Sequence, residues 1–563
     1  MWGMTKNFYS NHEQKLQEAL SAIQTRGFFS AYPEMPSGKI YGETAKKDGQ
    51  AAFEEYIGSD FTLKQGGCSG KIGSEISPYG LPIKTQYPKA NCNVLLQLIS
   101  EACPAWRNAS VETRVGIAME ILDRLNKRSF EMAFAVMHTT GQGFMMAFQA
   151  GGPHAQDRGL EAIAYAYKAM KDCPTEATWK KQVGRDDFVT LDKTFKIVPR
   201  GIGLVIGCST FPTWNTYPGL FASLVTGNAV IVKPHPGAIL PLAITVDICQ
   251  SVLVEAGFDT NLVTLVADTP DSPVTASLVE NDAVNIIDYT GGTTFGDWVE
   301  ANAGNAVVYT EKAGVNSIII DSVEQMKAVS GNLAFSLCLY SGQMCTTPQN
   351  IFIPRDGVKT ADGHMSFDDV ASAIVKGVDW MLSDQGRANE VLGAIQNQAT
   401  ADRIDSAVGE VLREGVSIEH AMFGEARTRS IKIIKLEATQ REVFAQEMFG
   451  PLVYIIATDS TEQSIELASS IAKEHGAISC GLYSTSDEVI EAAMEAMTLA
   501  GVPVSCNLTG NIWVNQSAAF SDFHVSGANP SGNATLSDTA FVVGRFNVVQ
   551  CRTFVPEPSK VEV

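Results

Sequence analysis

The sequence predicts an α/β fold in which parallel sheets are covered by helices. Short, nearly continuous apolar runs alternate with longer helical stretches, and such runs are typical of parallel strands buried on both faces. The first series of runs lies at 203–207, 229–233, 263–266 and 285–288, and a second α/β series extends from about 317 to 483. The chain has 563 residues, which is more than one hydrophobic core usually holds, so we expect several domains.

The residues before the first series predict helices and an irregular extension. Apolar residues recur at i, i+3 and i+4 in 111–129, 130–139 and 156–170, as they do in amphipathic helices. Residues 1–98 begin with a predicted helix over 11–26 and continue in a stretch rich in Gly, Pro, Ser and Lys. We interpret 1–98 as an N-terminal extension that lies on the surface of the main fold.

Three further patterns predict β structure and one helix. Alternation over 188–199 predicts a β-hairpin with its turn at Asp192 and Lys193, and alternation over 541–549 predicts a strand. Between the first two strands of the first series we expect a loop followed by a helix over 218–226.

The composition excludes several classes of protein. The net charge is −20, from 62 acidic against 42 basic residues, and no Lys- or Arg-rich run is present, which opposes nucleic-acid binding. No uncharged apolar stretch reaches about 18 residues, and the first 30 residues lack a signal pattern. We therefore expect a soluble, cytoplasmic protein that binds neither nucleic acid nor membranes.

The cysteines and histidines predict no metal site. The eleven cysteines are irregularly spaced without a C-x-x-C pair, and the eight histidines show no metal-binding spacing. We interpret the cysteines as reduced thiols and the histidines as structural or surface residues. For His154, in a polar Gly-rich segment, two interpretations stay open: it borders a substrate tunnel, or it caps a helix.

Cys345 has the clearest chemical signature. A thiol is a good nucleophile only as a thiolate, so a catalytic cysteine needs a nearby base or a lowered pKa. Cys345 follows the carboxylate Glu311 by 34 residues (345 − 311) and is flanked by small polar residues. A small buried hydrophobe is the usual interpretation of a cysteine, and we keep it for Cys338; for Cys345 we favour the nucleophile.

Seven segments together resemble the aldehyde dehydrogenase family. They occur in the family's order and near its spacing, between about residues 99 and 525. The segments are Thr213-Trp214-Asn215, Gly227-Asn228-Ala229-Val230-Ile231-Val232-Lys233-Pro234, Ala256-Gly257-Phe258, Thr290-Gly291-Gly292-Thr293, Glu311-Lys312-Ala313-Gly314, Gly342-Gln343-Met344-Cys345 and Glu447-Met448-Phe449-Gly450-Pro451. The resemblance implies a Rossmann-type dinucleotide-binding domain, an α/β catalytic domain and a small β bridging or oligomerisation element.

The resemblance implies a domain organisation and an assembly. The dinucleotide-binding domain would comprise 99–187 and 200–313, the catalytic domain 314–525, and the bridging element 188–199 with 526–563. In the family this element adds a strand to a neighbour's sheet, so we expect a homodimer or homotetramer.

The resemblance also implies three catalytic residues. Cys345 would attack the aldehyde carbon to give a thiohemiacetal and, after hydride loss, a thioester. Asn215 would donate its amide hydrogen to the oxyanion beside the backbone N–H of Cys345; the alternative is an asparagine that bonds its own turn. Glu311 would activate water to release a free acid; the alternative is a solvated glutamate paired with Lys312.

A nicotinamide dinucleotide site is implied as well. Lys233 would hold the adenosine ribose or a 2′-phosphate, and Gly291 and Gly292 would meet the pyrophosphate at a helix N-terminus. Pro236 stands where NAD-specific relatives often carry an acidic residue, so NADP is the preferred cofactor and NAD the alternative. The other cofactor-binding residues that the resemblance implies are Pro234, Glu447, Phe449 and Trp214.

Residues 1–98 and the segment 151–159 resemble one branch of the family, the stand-alone phenylacetic acid degradation (PaaN) dehydrogenases without a fused hydratase domain. This branch implies a small-molecule aldehyde substrate, namely a semialdehyde made when a separate protein opens the ring of an aromatic-derived coenzyme A thioester. Three alternatives stay open: a generalist aryl or alkyl aldehyde dehydrogenase, a coenzyme A-acylating dehydrogenase, and a non-catalytic binding protein of the same fold.

Overall fold

A computed structural model describes residues 8–556 of the chain. The N-terminal extension contains α1 (Tyr9–Thr25), α2 (Gly38–Tyr41), α3 (Ala45–Tyr56), β1 (Cys68–Ile72) and β2 (Tyr87–Ala90). The predicted first helix is confirmed, whereas α3 lies in the stretch that we expected to be irregular. Leu16, Tyr32 and Phe53 of this extension are buried in the same hydrophobic core as the first α/β unit. The extension is therefore an integral layer of the fold.

A helical layer follows the extension. Its helices are α4 (Cys92–Arg107), α5 (Val111–Lys127), α6 (Ser129–Thr140), α7 (Phe144–Gly151) and α8 (Pro153–Lys171). The three helices predicted from apolar periodicity correspond to α5, α6 and α8. Every residue of α6 is buried, so its pattern is that of an enclosed helix and not of an amphipathic surface helix.

Two long strands come next, β3 (Glu176–Gln182) and β4 (Phe188–Pro199), joined by a short turn. The predicted hairpin within 188–199 is wrong, because these residues form the single strand β4. Asp192 and Lys193 lie in the middle of that strand, where Thr178 Oγ1 donates to Asp192 Oδ1 at 2.8 Å. Both faces of this sheet are largely exposed, so polar residues in mid-strand did not signal a turn.

The first α/β unit carries the predicted parallel sheet. Its elements are β5 (Ile202–Ile206), α9 (Pro212–Val225), β6 (Ala229–Lys233), α10 (Leu240–Glu255), β7 (Val263–Leu265), α11 (Thr275–Val279), β8 (Val284–Gly291), α12 (Thr293–Asn302) and β9 (Val307–Lys312). The strands pair in the order β7-β6-β5-β8-β9, and every pairing is parallel. The strands of this series and the Rossmann-type architecture are confirmed.

Helix α9 begins six residues before the start that we predicted. Pro212 occupies its first turn, where a proline fits because no intrahelical N–H partner is needed there. Pro218, which we took as the first residue of the helix, lies inside it. Asn215 is therefore on the first turn of a helix and not in a loop.

The second α/β unit contains a mixed sheet of seven strands. Its elements are β10 (Ser317–Ile320), β11 (Ser322–Val323), α13 (Met326–Cys338), β12 (Asn350–Pro354), β13 (Val358–Thr360), β14 (Gly363–Met365), α14 (Phe367–Leu382), α15 (Gln385–Leu392), α16 (Gln398–Asp405), β15 (Glu410–Arg413), β16 (Lys432–Glu437), α17 (Arg441–Phe444), β17 (Leu452–Thr458), α18 (Thr461–His475), β18 (Cys480–Tyr483), α19 (Asp487–Thr498) and β19 (Val504–Cys506). The order is β15-β16-β17-β12-β10-β18-β19, antiparallel only between β15 and β16. The sheet separates two hydrophobic clusters and confirms the predicted second series.

The C-terminal segment returns to the first unit through α20 (Thr539–Val543) and β20 (Phe546–Val555). The strand that we predicted over 541–549 begins only at 546, because Asp538 caps α20 by accepting from the backbone N–H of Phe541 at 2.7 Å. Strand β20 pairs with β4 to give the antiparallel order β20-β4-β3. Arg545, fully buried, donates two hydrogen bonds to the Asp288 carboxylate on β8, at 2.7 and 2.5 Å, and anchors this segment to the parallel sheet.

Glu75 ties the extension to the first α/β unit. Its Oε1 accepts hydrogen bonds from the backbone N–H groups of Ile239 and Leu240, the latter at 2.9 Å, at the start of α10. Helix α10 has no side-chain cap of its own, so Glu75 supplies it from a distance of 164 residues along the chain. Burial raises the pKa of Glu75 to about 7.

Within residues 8–556, no helix is long and apolar enough to cross a membrane. All eleven cysteines are free thiols.

Candidate active site

Asn215 comes to the site from the first turn of α9, directly after strand β5. The residue is buried, and its amide is held at both ends. Its Nδ2 donates to Glu311 Oε2 at 2.7 Å, and its Oδ1 accepts from the Cys208 thiol at 3.5 Å. These contacts aim the amide into the space between the two α/β units and do not serve its own turn.

Glu311 lies near the end of β9, at the carboxyl edge of the parallel sheet. Only 1% of it is exposed, and its Oε1 lies 2.9 Å from His524 Nε2. The backbone around it is fixed by the C-terminal segment, because Lys312 N–H donates to Ser531 O at 2.6 Å. The Lys312 side chain pairs instead with Asp297, at 2.8 Å, on α12. Glu311 is therefore not the solvated partner of Lys312.

Cys345 lies in the loop that follows α13. The loop turns sharply through Tyr340, Ser341 and Gly342, which all have positive φ. A Cβ at Gly342 would lie 2.4 Å from the Gly450 carbonyl oxygen, so a glycine is required there. Cys338, by contrast, is buried at the end of α13, in agreement with its interpretation as a core residue.

Asn316 fixes the backbone of the Cys345 loop. Its Nδ2 donates to the carbonyl oxygens of Cys345, at 2.7 Å, and Thr347, at 3.0 Å. Its Oδ1 accepts from the backbone N–H groups of Ile478 and Ser479, next to strand β18. The Cys345 loop is thus held by the seven-stranded sheet, while Asn215 and Glu311 belong to the first unit.

His524 completes the cluster, and the sequence did not point to it. The imidazole is 3% exposed, and its Nε2 lies 3.7 Å from Cys345 Sγ. The sequence analysis interprets all eight histidines as structural or surface residues; the structure buries this one and places its ring against Glu311 and Cys345, and its role stays a prediction. His524 is 179 residues from Cys345 in the chain, in a segment without regular structure, and no motif marks it.

The cluster sets an unusual environment for the thiol. Burial first, and then the charge of Glu311, raise the pKa of Cys345 well above its ordinary value. The thiol is thus favoured over the thiolate until a base and a donor act on it.

The same three groups could also hold a soft divalent cation. Ligand atoms of Glu311, Cys345 and His524 lie within 4.8 Å of one another. Thiolate, imidazole and carboxylate are ordinary zinc ligands. The absence of a resident metal stays a prediction.

Lys233, at the end of β6, is buried and ion-paired. Its Nζ donates to Asp268 Oδ1 at 2.7 Å and to the Pro234 carbonyl oxygen at 2.7 Å. Asp268 follows β7, the neighbouring strand of the sheet. Our argument for NADP rested on Pro236 in place of a carboxylate, and the structure puts another carboxylate, that of Asp268, directly on the lysine.

Gly291 and Gly292 lie where β8 ends and α12 begins. Gly292 is the N-terminal cap of α12 and offers no side chain to the first amides of that helix. Space around Gly292 is open, whereas a Cβ at Gly291 would lie 2.4 Å from the Tyr289 hydroxyl. An uncapped helix N-terminus in open space suits a phosphate group.

Glu447 and Phe449 lie in the segment before β17. Both line a small cavity together with Gly342 and Met344 of the Cys345 loop. Burial raises the pKa of Glu447 to about 7, and the nearby Arg403 partly offsets this effect.

Trp214, which we expected on the cofactor side, packs edge-on against His524 with ring centroids 4.7 Å apart. The guanidinium of the buried Arg158 lies 5.2 Å from the Trp214 ring. His154 is on the first turn of α8 and pairs with Glu34 at 2.7 Å in an exposed position.

Comparisons with known proteins identify one family and several relatives. The family model described as "Aldehyde dehydrogenase family" matches residues 85–540. A crystal structure titled as an NAD-dependent aldehyde dehydrogenase from Burkholderia multivorans is 54% identical, with a TM-score of 0.96 over 98% of this chain and 100% of that one.

Two more distant relatives are matched over shorter lengths. A benzaldehyde dehydrogenase [NAD(+)] from Pseudomonas putida is 24% identical over 64% of this chain and 70% of its own. A Caenorhabditis elegans protein, named as a homolog of aldehyde dehydrogenase family 7 member A1, is 25% identical over 51% of this chain, and the match spans about half of that protein, 53%.

Proposed function

This chain belongs to the aldehyde dehydrogenase family, oxidoreductases that act on aldehydes with NAD(P), and from that premise we propose the roles of its site residues. Cys345 is the nucleophile, Glu311 the general base and Asn215 the oxyanion donor. The observation that carries this proposal is the unbroken chain of contacts from Cys345 through His524 and Glu311 to Asn215.

In the first step Glu311 takes the proton of the Cys345 thiol, the sulfur forms a bond to the aldehyde carbon, and the carbonyl electron pair moves to oxygen. Glu311 releases this proton to solvent before the hydrolytic step. A side-chain amide nitrogen carries two hydrogens. One hydrogen of Asn215 Nδ2 is used by Glu311, which leaves the other for the oxyanion. The backbone N–H of Cys345 is the second donor in this proposal.

Loss of hydride from the thiohemiacetal carbon then leaves a thioester on sulfur. When bound, NAD(P) supplies the hydride acceptor. Glu311 next takes a proton from water, and the resulting hydroxide oxygen forms a bond to the thioester carbon. The carbon–sulfur bond then breaks. The products are a carboxylic acid and the free thiol. The presence of this base argues against acyl transfer to coenzyme A.

The cofactor residues of the proposal fit a dinucleotide. The open N-terminus of α12 at Gly292 suits the pyrophosphate, with Gly291 at the end of the preceding strand. Lys233 with Pro234 serves the adenosine ribose, and Glu447, Phe449 and Trp214 serve the nicotinamide end.

Acceptance of NADP remains part of the proposal, but two observations weigh against a preference for it. Asp268 holds Lys233 in an ion pair, and a carboxylate there repels a 2′-phosphate. The relative that is 54% identical is titled NAD-dependent.

For the substrate, we propose a semialdehyde from a ring-opened coenzyme A thioester, on the resemblance of 1–98 and 151–159 to the phenylacetic acid degradation branch. A generalist enzyme is the second candidate, favoured by a relative that is named for benzaldehyde, an aryl aldehyde. A cytoplasmic location is also proposed, supported by eleven free cysteines.

The test is formation of reduced cofactor by the full chain with a panel of aldehydes, using NAD and NADP in parallel. The panel contains the ring-opened thioester semialdehyde, benzaldehyde and an alkyl aldehyde. We expect Cys345→Ala to lose at least about 10⁴-fold in kcat, and the matched buried variant Cys338→Ala to keep its activity. Product analysis separates free acid from thioester. Turnover of simple aldehydes alone would favour the generalist, and full activity of Cys345→Ala would refute the proposed nucleophile.

A further inference from the structure

One ring nitrogen of His524 serves both the base and the nucleophile. Its Nε2 lies 2.9 Å from Glu311 Oε1 and 3.7 Å from Cys345 Sγ. In a catalytic triad of the Ser-His-Asp type, one ring nitrogen takes the proton of the nucleophile while the other donates a hydrogen bond to the carboxylate. In this cluster both partners lie near the same ring nitrogen, so the geometry is different.

The chemistry of the carboxylate indicates which atom carries the hydrogen. An ionised carboxylate can only accept hydrogen bonds. With Glu311 ionised, the 2.9 Å contact between its Oε1 and His524 Nε2 is a hydrogen bond donated by Nε2. A nitrogen that already carries a hydrogen cannot take the proton of the Cys345 thiol, so that proton has to go to Glu311.

We propose that His524 is a positioning residue whose Nε2 hydrogen moves from Glu311 to the Cys345 sulfur as the thiolate forms. The inference rests on the proposed function. In this step the S–H bond breaks, an O–H bond forms on Glu311, and the electron pair stays on sulfur. The imidazole remains neutral throughout and only exchanges its hydrogen-bond acceptor.

A thiolate at Cys345 needs a hydrogen-bond donor close to the sulfur. Burial and the neighbouring Glu311 both disfavour a charged sulfur, and they raise the pKa of the Cys345 thiol well above its usual range. Protonation of Glu311 removes the repulsion between the two charges. A hydrogen bond to the charged sulfur then compensates for the lost solvation.

The position of the imidazole is fixed by its surroundings. Trp214 packs edge-on against the ring, and the His524 carbonyl oxygen accepts from Leu536 N–H at 3.0 Å. The next residue, Val525, has φ of +62°, a conformation that is strained for a β-branched side chain. Strain of this kind persists where the surrounding structure holds a functional group in place.

Few ionisable groups face this imidazole. Glu311 and Cys345 contact it directly, and Cys208 lies beyond Asn215, against its Oδ1. Arg158 lies against the Trp214 ring and pairs with Glu161 at 2.7 Å, and it donates to Ser517 Oγ at 2.7 Å and to the Asp522 carbonyl oxygen at 3.1 Å. The pH response of the thiol is therefore set mainly by the three clustered residues.

The experiment measures the rate at which iodoacetamide alkylates Cys345 across pH, read from its peptide by mass spectrometry. The full-length enzyme is compared with His524→Gln, which keeps an N–H donor, and His524→Ala, which has none. The matched control is His138→Gln, a buried histidine at another place in the fold. Thermal melts identify any variant that fails to fold.

We expect His524→Ala to move the alkylation midpoint upward and to slow the rate near neutral pH by at least about tenfold. His524→Gln should keep a midpoint near that of the wild type. If Cys345 is essential but both variants keep the wild-type midpoint, the inference fails and the proposed function stands. An equally large shift in both variants would mean that the imidazole is a base, which also overturns it. Should His524→Ala not fold, His524→Leu takes its place as the variant without a donor.

Discussion

At the scale of single residues, the ion pair between Lys233 and Asp268 lies at the proposed binding site for the adenosine ribose. The lysine is 2% exposed, and burial lowers its pKa while the Asp268 carboxylate opposes that change. Because the Asp268 carboxylate is paired with this lysine, its negative charge cancels the attraction between the lysine and a 2′-phosphate. A proline at 236 therefore does not leave the ribose end free of acidic groups.

We predict that Asp268→Asn raises the ratio of kcat/KM for NADP over NAD by roughly tenfold, about 1.4 kcal/mol. The substitution keeps the shape of the side chain and removes its charge. Steady-state kinetics with both cofactors measure the ratio, and Asp271→Asn, an exposed acid in the same loop, is the control. An unchanged ratio would show that Asp268 has no part in the choice.

Glu447, proposed to serve the nicotinamide end of the cofactor, has a raised pKa. Its pKa is raised to about 7 by burial, so the carboxyl group is neutral below that pH and ionised above it. Ionised, it accepts hydrogen bonds from ribose hydroxyls more strongly. We predict that the KM for the dinucleotide falls as the pH rises through about 7, and that Glu447→Gln abolishes the change. Glu442→Gln, exposed on α17, should keep the wild-type profile; a flat wild-type profile would contradict the prediction.

At the scale of elements, helix α10 depends on a cap from outside its own unit. We predict that Glu75→Ala destabilises the protein by about 1–3 kcal/mol, because two backbone N–H groups lose their acceptor. The lowering of Tm measures the effect. Glu75→Gln keeps an acceptor oxygen and should lose less, and Glu101→Ala, exposed on α4, should lose almost nothing. Equal melting temperatures for all three would exclude the capping role.

Elements could be predicted where the signal was local. The parallel strands that end near Lys233 and Gly291 could be predicted from their apolar runs. Strand β4 was misinterpreted because a sheet exposed on both faces carries no burial period, so Asp192 looked like a turn residue. The predicted start of α9 was wrong because a proline usually lies in the first turn of a helix, whereas Pro218 lies inside α9.

The candidate site could be predicted only in part for a related reason. Cys345, Glu311 and Asn215 lie in segments whose residue pattern resembles a family. His524 acquires its meaning from tertiary structure alone, since an irregular segment brings it across 179 residues to the sulfur. Asp268 likewise reaches Lys233 only because β6 and β7 are neighbours in the sheet.

At the scale of the whole molecule, the sheet β20-β4-β3 leaves apolar side chains exposed. Val548 and Phe554 lie six residues apart on β20, hence on one face, and are 45% and 60% exposed. An exposed strand of this length with apolar residues is typical of a site for pairing with another chain. This supports the proposed homodimer or homotetramer.

We predict that the protein elutes from size-exclusion chromatography as a dimer or tetramer, and that Val548→Glu with Phe554→Glu shifts it toward the monomer. Two buried charges in an interface are costly. Trp380→Glu, at an exposed apolar position on α14, is the control and should not change elution. A wild-type protein that runs only as a monomer would rule out the assembly.

Glu75 also constrains the order in which the protein matures on the ribosome. Glu75 emerges early in translation. The backbone amides that donate to its carboxylate lie 164 residues further along the chain and have yet to be synthesised. Until translation passes that point, the Glu75 carboxylate has no amides to cap, and closing so long a loop is entropically slow. In a chain released before residue 240, α1 and α3 could already pack on α5, α6 and α8, but the stretch around Glu75 would lack its contact with α10.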